Sequence, residues 1–344
     1  MLYFSLNNLG VIKMFLKIIS FSLIVLITSC SAQKSDDVFQ NLENNYPPSK
    51  YLSAIGEGDS RKDAEKNAMG KLALIFESKI NTSQTLNEHY SEFSDEDGSS
   101  LTYEASTKKK TNVSSDQKLL NVKYGKHQVD EVGNNMIVAY IDRRETAVIY
   151  DEKIESLNSS ILSLENLANK VELKIKKYAA LNRASQLMNE NLELMKQQSI
   201  ISPYNPDFSD KVAKYDAIYR KKGEVANSVK FVISGSDEDI VNSLSSIITS
   251  KGFKIVDSGD FLISGTLKYE EVDLGRKEIF YNWHMNIQLL NVFAEIIFNF
   301  DKSGREGGIT ESAVYSRAKF EANKSLKKEF TTGFDKYLDS LLGM

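Results

Sequence analysis

The most constraining feature of this chain is a long run, from Asp142 to Ser202, that contains neither glycine nor proline. Apolar residues recur in it every three or four positions, which is the repeat of one face of an α-helix. These residues are Ile154, Leu157, Ile161, Leu164, Ala168, Val171, Ile175 and Tyr178. Asp142 can cap the first turn, and Glu145 stands three residues later, as in a capping box. The run therefore predicts a helical segment over residues 143–202.

The sequence leaves open how this segment covers its apolar stripe. Asn182 and Ser185 break the pattern, which resumes on a shifted face with Leu181, Ala184, Met188, Leu192 and Met195. One long helix and an antiparallel pair both fit, and the narrow stripe would also suit a coiled-coil dimer. We expect packing within the chain, with the segment acting as a spacer. Residues 203–228, which begin at a proline, are predicted to be a linker.

The residues before this segment predict a helix packed on a sheet. A strand at Tyr51–Ile55 is followed by Gly56-Glu57-Gly58 and by a helix that Ser60 and Asp63 can cap. The apolar positions of that helix are Ala64, Ala68, Leu72, Ile75, Phe76 and Ile80. The glycines predict a tight structural turn, because Arg61 stands where the third glycine of a dinucleotide fingerprint would be.

Further strands are predicted at residues 119–129 and 135–143, while the polar residues 88–115 suggest a loop and one solvated strand. From Val229 onward, alternation and helical spacing predict a second unit of strands and helices. Trp283 lies on an alternating strand and is predicted to be a core residue. The predicted fold class is α+β, with two α+β domains (residues 50–142 and 229–344), each a helix packed on an antiparallel sheet, joined by the helical segment.

The amino-terminal residues predict a lipid anchor. Lys17 precedes an apolar run, Ile18–Ile27, that is too short to cross a bilayer as a helix. The run ends in Thr28-Ser29 directly before Cys30, and this pattern resembles the bacterial lipobox, in which the cysteine thiol is acylated. We therefore predict a signal peptide at residues 1–29, a lipid at Cys30, and a polar tether over residues 30–49.

The first domain resembles a known family. The motif Tyr51-Leu52-Ser53-Ala54-Ile55-Gly56-Glu57-Gly58, followed by Ala64 and Ala68 on a capped helix, is similar to the opening of the Lpp-twenty bacterial lipoprotein domain. The apolar strand from Asn135 to Arg143, which ends in charged residues, matches the last strand of that domain. The resemblance implies a small envelope lipoprotein, in some cases flagellum-associated. The second unit is similar in pattern to the amino-terminal domain of TolB and to the middle domain of a flagellar T-ring-type protein, which is an analogy of fold.

Charge and composition exclude several kinds of function. Removing residues 1–29 takes away two lysines and no acid, so the mature chain carries a net charge near −6 and is not expected to bind nucleic acid. His89, His127 and His284 are far apart in sequence and lack metal-ligand spacing, so we expect no metal and no cofactor. The acidic run Asp95-Glu96-Asp97 is interpreted as a solvated loop. No catalytic motif is present, and the chain is predicted not to be an enzyme.

The resulting hypothesis is a lipid-anchored envelope lipoprotein with a non-catalytic scaffolding or assembly role. We expect it on the outer membrane, facing the periplasm, with the membrane as one partner through Cys30 and envelope proteins as others. The oligomeric state is left open. Two alternatives are a module that binds cell-wall glycan or a small ligand through the carboxy-terminal domain, and a hydrolase whose catalytic residues form no motif recognisable in the sequence.

We predict that Cys30→Ala abolishes labelling of the protein by a clickable fatty acid and releases it from the membrane fraction, because the acceptor thiol is lost. Ser35→Ala, in the same polar stretch, is the matched control and should label normally. A Cys30→Ala protein that still sediments with membranes after a high-salt wash would contradict the prediction.

Overall fold

The computed structural model describes residues 39, 41–82, 119–204, 206–236 and 238–343. Within these ranges the chain forms two sheets with helices packed on them, which confirms the predicted α+β class. No described helix combines the length and hydropathy needed to cross a membrane. The signal peptide, Cys30 and residues 88–115 lie outside the described residues, so what was predicted for them stays a prediction.

The first domain is a sheet with one helix packed across it. After a short helix α1 (Leu42–Asn45), the chain forms strand β1 (Tyr51–Gly58), helix α2 (Arg61–Thr82), and strands β2 (Lys123–Val129) and β3 (Asn135–Asp142). The described strands have the order β1-β3-β2, and both pairs are antiparallel. The residues buried between sheet and helix include Leu52, Ala54, Ala64, Ala68, Leu72, Phe76, Ile137, Ala139 and Ile141.

Gly56 and Gly58 lie inside β1, so the prediction of a tight turn at these residues is wrong. The strand continues because Gly56 pairs with Ile137 of β3. The glycines instead allow α2 to approach the sheet: a Cβ on Gly56 would overlap the carbonyl oxygen of Ala64. The predicted helix cap is confirmed, since the Oγ of Ser60 accepts a hydrogen bond from the backbone N–H of Asp63 at 3.2 Å.

The predicted helical segment is an antiparallel pair, α3 (Arg143–Lys170) and α4 (Lys174–Ile201), which settles one alternative that the sequence left open. The pair runs antiparallel because Tyr150 near the start of α3 donates to Gln197 near the end of α4, at 2.7 Å. The turn between the helices contains neither glycine nor proline, so the sequence carried no signal for it. The predicted cap is confirmed: Asp142 accepts from the N–H groups of two residues in the first turn of α3.

Residues 203–228, predicted to be a linker, are mostly a third helix, α5 (Ser209–Ser228). Its buried positions are few, namely Tyr215, Ile218 and Ala226. Lys222 is partly buried on the same stripe, and burial lowers its pKa. A charged residue on the buried stripe hides the helical repeat, which explains why the sequence suggested a solvated connection.

Buried polar side chains link the three helices. The Nδ2 of Asn191 on α4 donates to the carbonyl oxygen of Ile154 on α3 at 3.0 Å and to the hydroxyl of Tyr215 on α5 at 2.7 Å. Asn191 and Tyr215 are fully buried. Because a buried polar group is costly when unpaired, these bonds favour one register of the helices over others.

The second domain is a mixed sheet with helices on one face. It contains β4 (Lys230–Gly235), α6 (Glu238–Ser250), β5 (Lys254–Ile255), β6 (Phe261–Val272), β7 (Ile279–Leu290) and β8 (Ile296–Gly308). The described strand order is β5-β4-β6-β7-β8. Strand β4 is parallel to β5 and β6, and the remaining pairs are antiparallel. The parallel pairs arise because α6 crosses over between β4 and β5.

The last helical region packs on the inner face of this sheet as α7 (Glu311–Ser325), a π-helical segment (Leu326–Phe330) and α8 (Thr331–Ser340). Its buried residues recur every four positions: Val314, Ala318, Ala322, Leu326, Phe330, Phe334 and Leu338. On an α-helix each step of four residues rotates the face by about 40°. The wider π turn in the middle reduces this drift and keeps the stripe on the sheet.

We predict that Gly56→Ala lowers the free energy of unfolding by about 2 kcal/mol or more, because the added methyl group meets backbone atoms that side-chain movement cannot displace. Gly70→Ala is the matched control, since a Cβ there has nothing within 4 Å. On a helix this change should stabilise by about 0.5–1 kcal/mol. Urea denaturation of the soluble chain from residue 31 measures both, and an unchanged midpoint for Gly56→Ala would contradict the close-packing argument.

We also predict alkaline destabilisation. Burial raises the pKa of Tyr150 and of Tyr215 to about 12. A raised folded pKa means that the folded state holds these protons above pH 10 while the unfolded state releases them. The contribution of these two tyrosines to stability should therefore be constant below pH 10 and fall as the pH rises from 10 towards 12. Tyr150→Phe and Tyr215→Phe should each make this fall shallower, whereas Tyr204→Phe, at an exposed position, should not.

Candidate functional site

The outer face of the second sheet is a polar surface. The inner face is apolar, since Trp283, Met285 and Ile287 of β7 are buried against the helices. Residues that alternate with them point to the other side. The polar ones in the central part of β6, β7 and β8, between the Leu262–Leu290 pair and Phe280, include Ser264, Thr266, Lys268, Asn282, His284, Asn286, Gln288, Asn299, Asp301, Ser303 and Arg305. We call this surface the polar sheet face.

Side chains of the polar sheet face are hydrogen-bonded across β7 and β8. The Nε of Arg305 donates to the Oδ1 of Asn282 at 2.7 Å. The Nδ2 of Asn286 donates to Asn299 and to Asp301, both at 3.1 Å. These contacts hold amide, carboxylate and guanidinium groups in fixed positions. The surface can therefore form hydrogen bonds to a partner, but a sheet face does not enclose a ligand as the concave sites for small molecules do.

The structure separates the candidate site residues that the sequence provided. His127 lies in the first sheet, with its Nε2 2.9 Å from the Oδ1 of Asn135. His284 lies in the second sheet, with its Nε2 3.4 Å from a carboxylate oxygen of Asp301. His89, Cys30 and the acidic run 95–97 are outside the described residues. Within the described ranges, no group of three or more His, Cys, Asp or Glu residues could hold a metal ion.

Trp283 belongs to the second core, as predicted from its alternating strand. Its indole ring lies against Gly304 of β8, where a Cβ would overlap the ring. The indole N–H is buried without a hydrogen-bond partner among the described atoms. The ring therefore contributes to packing between sheet and helices and is not an exposed platform for a ligand.

Arg143 joins the residues before β1 to the end of the helical bundle. Its backbone N–H donates to the carbonyl oxygen of Lys50 at 2.9 Å, and its Nε donates to that of Pro48 at 2.8 Å. Its Nη1 donates to the carbonyl oxygen of Ile200, in the last turn of α4, at 2.6 Å. A positive charge at the carboxyl end of a helix is favoured by the helix dipole. Burial lowers the pKa of Arg143, but a guanidinium stays protonated at physiological pH.

Residues 41–48, which we call the strap, pack on the outer face of the first sheet. The ring of Tyr46 lies 4.9 Å from that of Tyr140 and 5.6 Å from that of Tyr51, measured between centroids. A Cβ at Gly125 of β2 would overlap the Tyr46 hydroxyl. The prediction of a polar tether over residues 30–49 is therefore wrong for the strap. One aromatic residue in a polar stretch has no periodicity, so the sequence did not reveal this packing.

A shallow hollow of about 500 Å³ lies on the outer side of α7 and the π segment. It is lined by Phe320, Asn323, Lys324, Lys327 and Lys328. These residues recur at three- and four-residue spacing on the side of the helix away from the buried stripe. Lys324 forms an ion pair with Glu321 at 3.0 Å. Charged side chains on such a helix face are ordinary solvated surface.

Sequence reasoning missed the strap, α5 and the cross-strand contacts of the polar sheet face. Alternation did place His284, Asn286 and Gln288 on the face opposite Trp283. Their partners on β8 depend on the register of the two strands, which pairs Asn286 with Asp301. The sequence pattern alone did not specify this register.

No protein-family model and no curated protein matches this chain. Among solved structures, the secreted protein HP1454 from Helicobacter pylori is 13% identical, with a TM-score of 0.42, over 81% of this chain and 97% of that one. A minor lipoprotein from Acinetobacter baumannii is 9% identical, with a TM-score of 0.25, over 33% and 92% of the two chains. The lipoprotein GNA1162 from Neisseria meningitidis is 8% identical, with a TM-score of 0.20, over 28% and 96%. Similarities of this size assign neither a family nor a function to the chain.

Proposed function

We propose that this protein is a lipid-anchored, non-catalytic component of a bacterial cell envelope. It holds two sheet domains at a set separation and presents the second to an envelope protein. The lipid at Cys30 places it on the outer membrane, facing the periplasm. A role in a flagellum-associated or other envelope complex is the narrower form of the proposal, suggested by the motif similar to the Lpp-twenty domain.

The observation that carries this proposal is that α4 contributes to both hydrophobic cores. Ile175, Tyr178 and Ala179, near its start, are buried in the second core. From Ala180 onward the buried residues of α4 belong to the first core. A helix that is close-packed in two cores cannot tilt against either domain without opening apolar contacts. The bundle is thus suited to fix the separation of the two domains.

Polar contacts at the same junction support the proposal. The hydroxyl of Tyr178 donates to the carbonyl oxygen of Lys251, directly after α6, at 3.2 Å. The Nζ of Lys174 lies 3.5 Å from the carboxylate of Asp260, just before β6. Helix α3 spans about 42 Å at 1.5 Å per residue, and this length separates the strap from the second domain.

The polar sheet face supports a protein as the partner. Protein interfaces are commonly broad and carry about one hydrogen bond per 100–200 Å². The exposed residues Thr266 and His284 lie on this face, within a set of fixed donors and acceptors. Such a surface matches another folded surface better than it matches a small molecule.

Site-specific photo-crosslinking in intact cells tests the proposal. A photo-reactive amino acid at Thr266 or at His284 should give an adduct with a protein of defined size. The same residue at Lys153, on the exposed side of α3, is the matched control and should give none. Adducts that are absent at both sheet positions, in a protein shown to be acylated, would contradict the scaffolding role.

One alternative function is favoured by a specific observation. The Arg305–Asn282 and Asn286–Asp301 contacts fix groups that also bind sugar hydroxyls, which fits a module that recognises cell-wall glycan through the second domain. Purified protein would then bind soluble peptidoglycan fragments, and Asn286→Ala would weaken that binding without changing the melting temperature by more than a few degrees. Binding of this kind without protein adducts would favour the alternative.

A further inference from the structure

We propose that two copies of this chain pair along strand β8, so that their second sheets join into one continuous sheet with a two-fold axis at Ser303. The occupant of the β8 edge is a second copy of the same strand, running antiparallel. This inference goes beyond the proposed function, because it depends neither on the lipid at Cys30 nor on an envelope partner. It places the polar sheet faces of the two copies side by side.

Strand β8 has a described neighbour on one side only. It stands last in the described strand order β5-β4-β6-β7-β8 and pairs with β7. It spans 13 residues, Ile296–Gly308, and contains no proline. The backbone N–H and C=O groups on the outer side of an edge strand can bond to a further strand. A long edge without proline is therefore able to accept one.

The inner face of β8 is incompletely covered. On β7, Ile287 and Leu289 are buried, with exposed fractions of 0% and 2%. Their register partners on β8, Phe300 and Phe298, are only partly buried, although both pack against the second core. The core is thus closed beneath β7 and open at the β8 edge. A further strand beside β8 would remove more of these two rings from water, which is favourable.

Charge selects the register of the added strand. A two-fold axis perpendicular to the sheet keeps inner residues opposite inner residues, so it passes through a residue of β8 rather than between two. An axis at a charged residue would place that charge opposite its own copy, which is unfavourable. The charged residues of β8 are Asp301, Lys302, Arg305 and Glu306. An axis at Ser303 instead places Asp301 of each copy opposite Arg305 of the other, which forms two pairs of opposite charge.

The inward-pointing Lys302 is compatible with this register. An inward charge on an edge strand commonly prevents pairing. Here the Nζ of Lys302 already lies 2.7 Å from a carboxylate oxygen of Glu329 in the same chain. In the Ser303 register it would face Gly304 of the second copy, which has no side chain. An axis at Gly304 would pair Lys302 with Glu306, but Lys302 is neutralised without that contact. The Asp301–Arg305 pairs therefore favour the axis at Ser303.

The Ser303 register uses the regular part of β8. The pairing of β7 with β8 is irregular between Leu289 and Leu290, where Ile297 is the extra residue of a bulge. Pairing of residues 299–307 with their copies avoids this bulge and forms about eight to ten hydrogen bonds. The opposite edge of the described sheet is β5, which has two residues. So short an edge offers no comparable pairing, and the assembly closes at two copies.

Disulfide trapping tests the pairing. In the Ser303 register the Cα atoms of the two Ser303 residues would lie about 4.5–5.5 Å apart, a separation that a disulfide can span. The purified full-length Ser303→Cys protein is oxidised in detergent with copper phenanthroline. Ser264→Cys is the matched control, because it lies on the same polar sheet face but on the interior strand β6. The parent chain reports any contribution of Cys30, its only cysteine.

We expect Ser303→Cys to give a disulfide-linked dimer, and Ser264→Cys and the parent to give none. Adding Asp301→Arg should lower the crosslinked fraction by about fivefold or more, because it places like charges opposite each other twice. Adding Arg305→Asp as well should restore it. The melting temperature of each variant establishes that it is folded, and if Asp301→Arg does not fold, the Ser303→Cys result alone decides. A folded Ser303→Cys protein without a dimer would overturn the proposal, as would a dimer that folded Asp301→Arg leaves unchanged.

The outcome is distinguishable from that of the proposed function. In intact cells, a Ser303→Cys disulfide to a different protein, without a homodimer, would assign the β8 edge to that protein. It would overturn the second copy as occupant and leave the scaffolding role in place. A homodimer in a chain that mass spectrometry shows to lack the lipid would support the pairing and remove the lipid anchor.

Discussion

The structure depends on the burial of helix α4 by two cores. Tyr178 and Ile175 face the second sheet and its helices, while residues one turn later face α3 and the first domain. Apolar contacts on both sides fix where this helix lies, and every neighbouring element is positioned against it. A polar substitution in its middle would therefore disturb two domains, whereas one in α2 would disturb the first.

The first domain is close-packed because small residues line the contact between β1 and α2. Gly56, Ala64 and Ala68 bring β1 and α2 so near that one methyl group on the glycine would overlap backbone. Arg143 then attaches this domain to the bundle with hydrogen bonds to the backbone on both sides of it. Backbone acceptors at a helix end and before a strand are otherwise unpaired, so one guanidinium satisfies groups from separate elements.

Polar groups have different roles in the bundle and on the sheet. Asn191 and Tyr215 are buried between helices. The hydrogen bond between them would break if one helix shifted along the other, so it favours one register of the bundle. Arg305 and Asp301 are exposed on a sheet face, where the same kinds of bond arrange a surface. The first set supports a fixed separation of the domains and the second a surface for recognition. Both are what a scaffold requires, since a binding surface is useful only at a defined place.

The sequence by itself determined the α+β class, the helical run after Asp142, the caps at Ser60 and Asp142, and the core position of Trp283. These features depend on local hydrogen bonds or on the period of apolar residues, which can be recognised within a few turns of chain. Tertiary structure decided the place of the helix–helix turn, the strap, α5 and the cross-strand contacts of the polar sheet face. Each of these depends on a contact between residues that are not neighbours in the chain: Tyr150 with Gln197, Tyr46 with Tyr140, Tyr215 with Asn191, and Asn286 with Asp301, in that order. Such contacts follow from register and burial, which local periodicity does not contain.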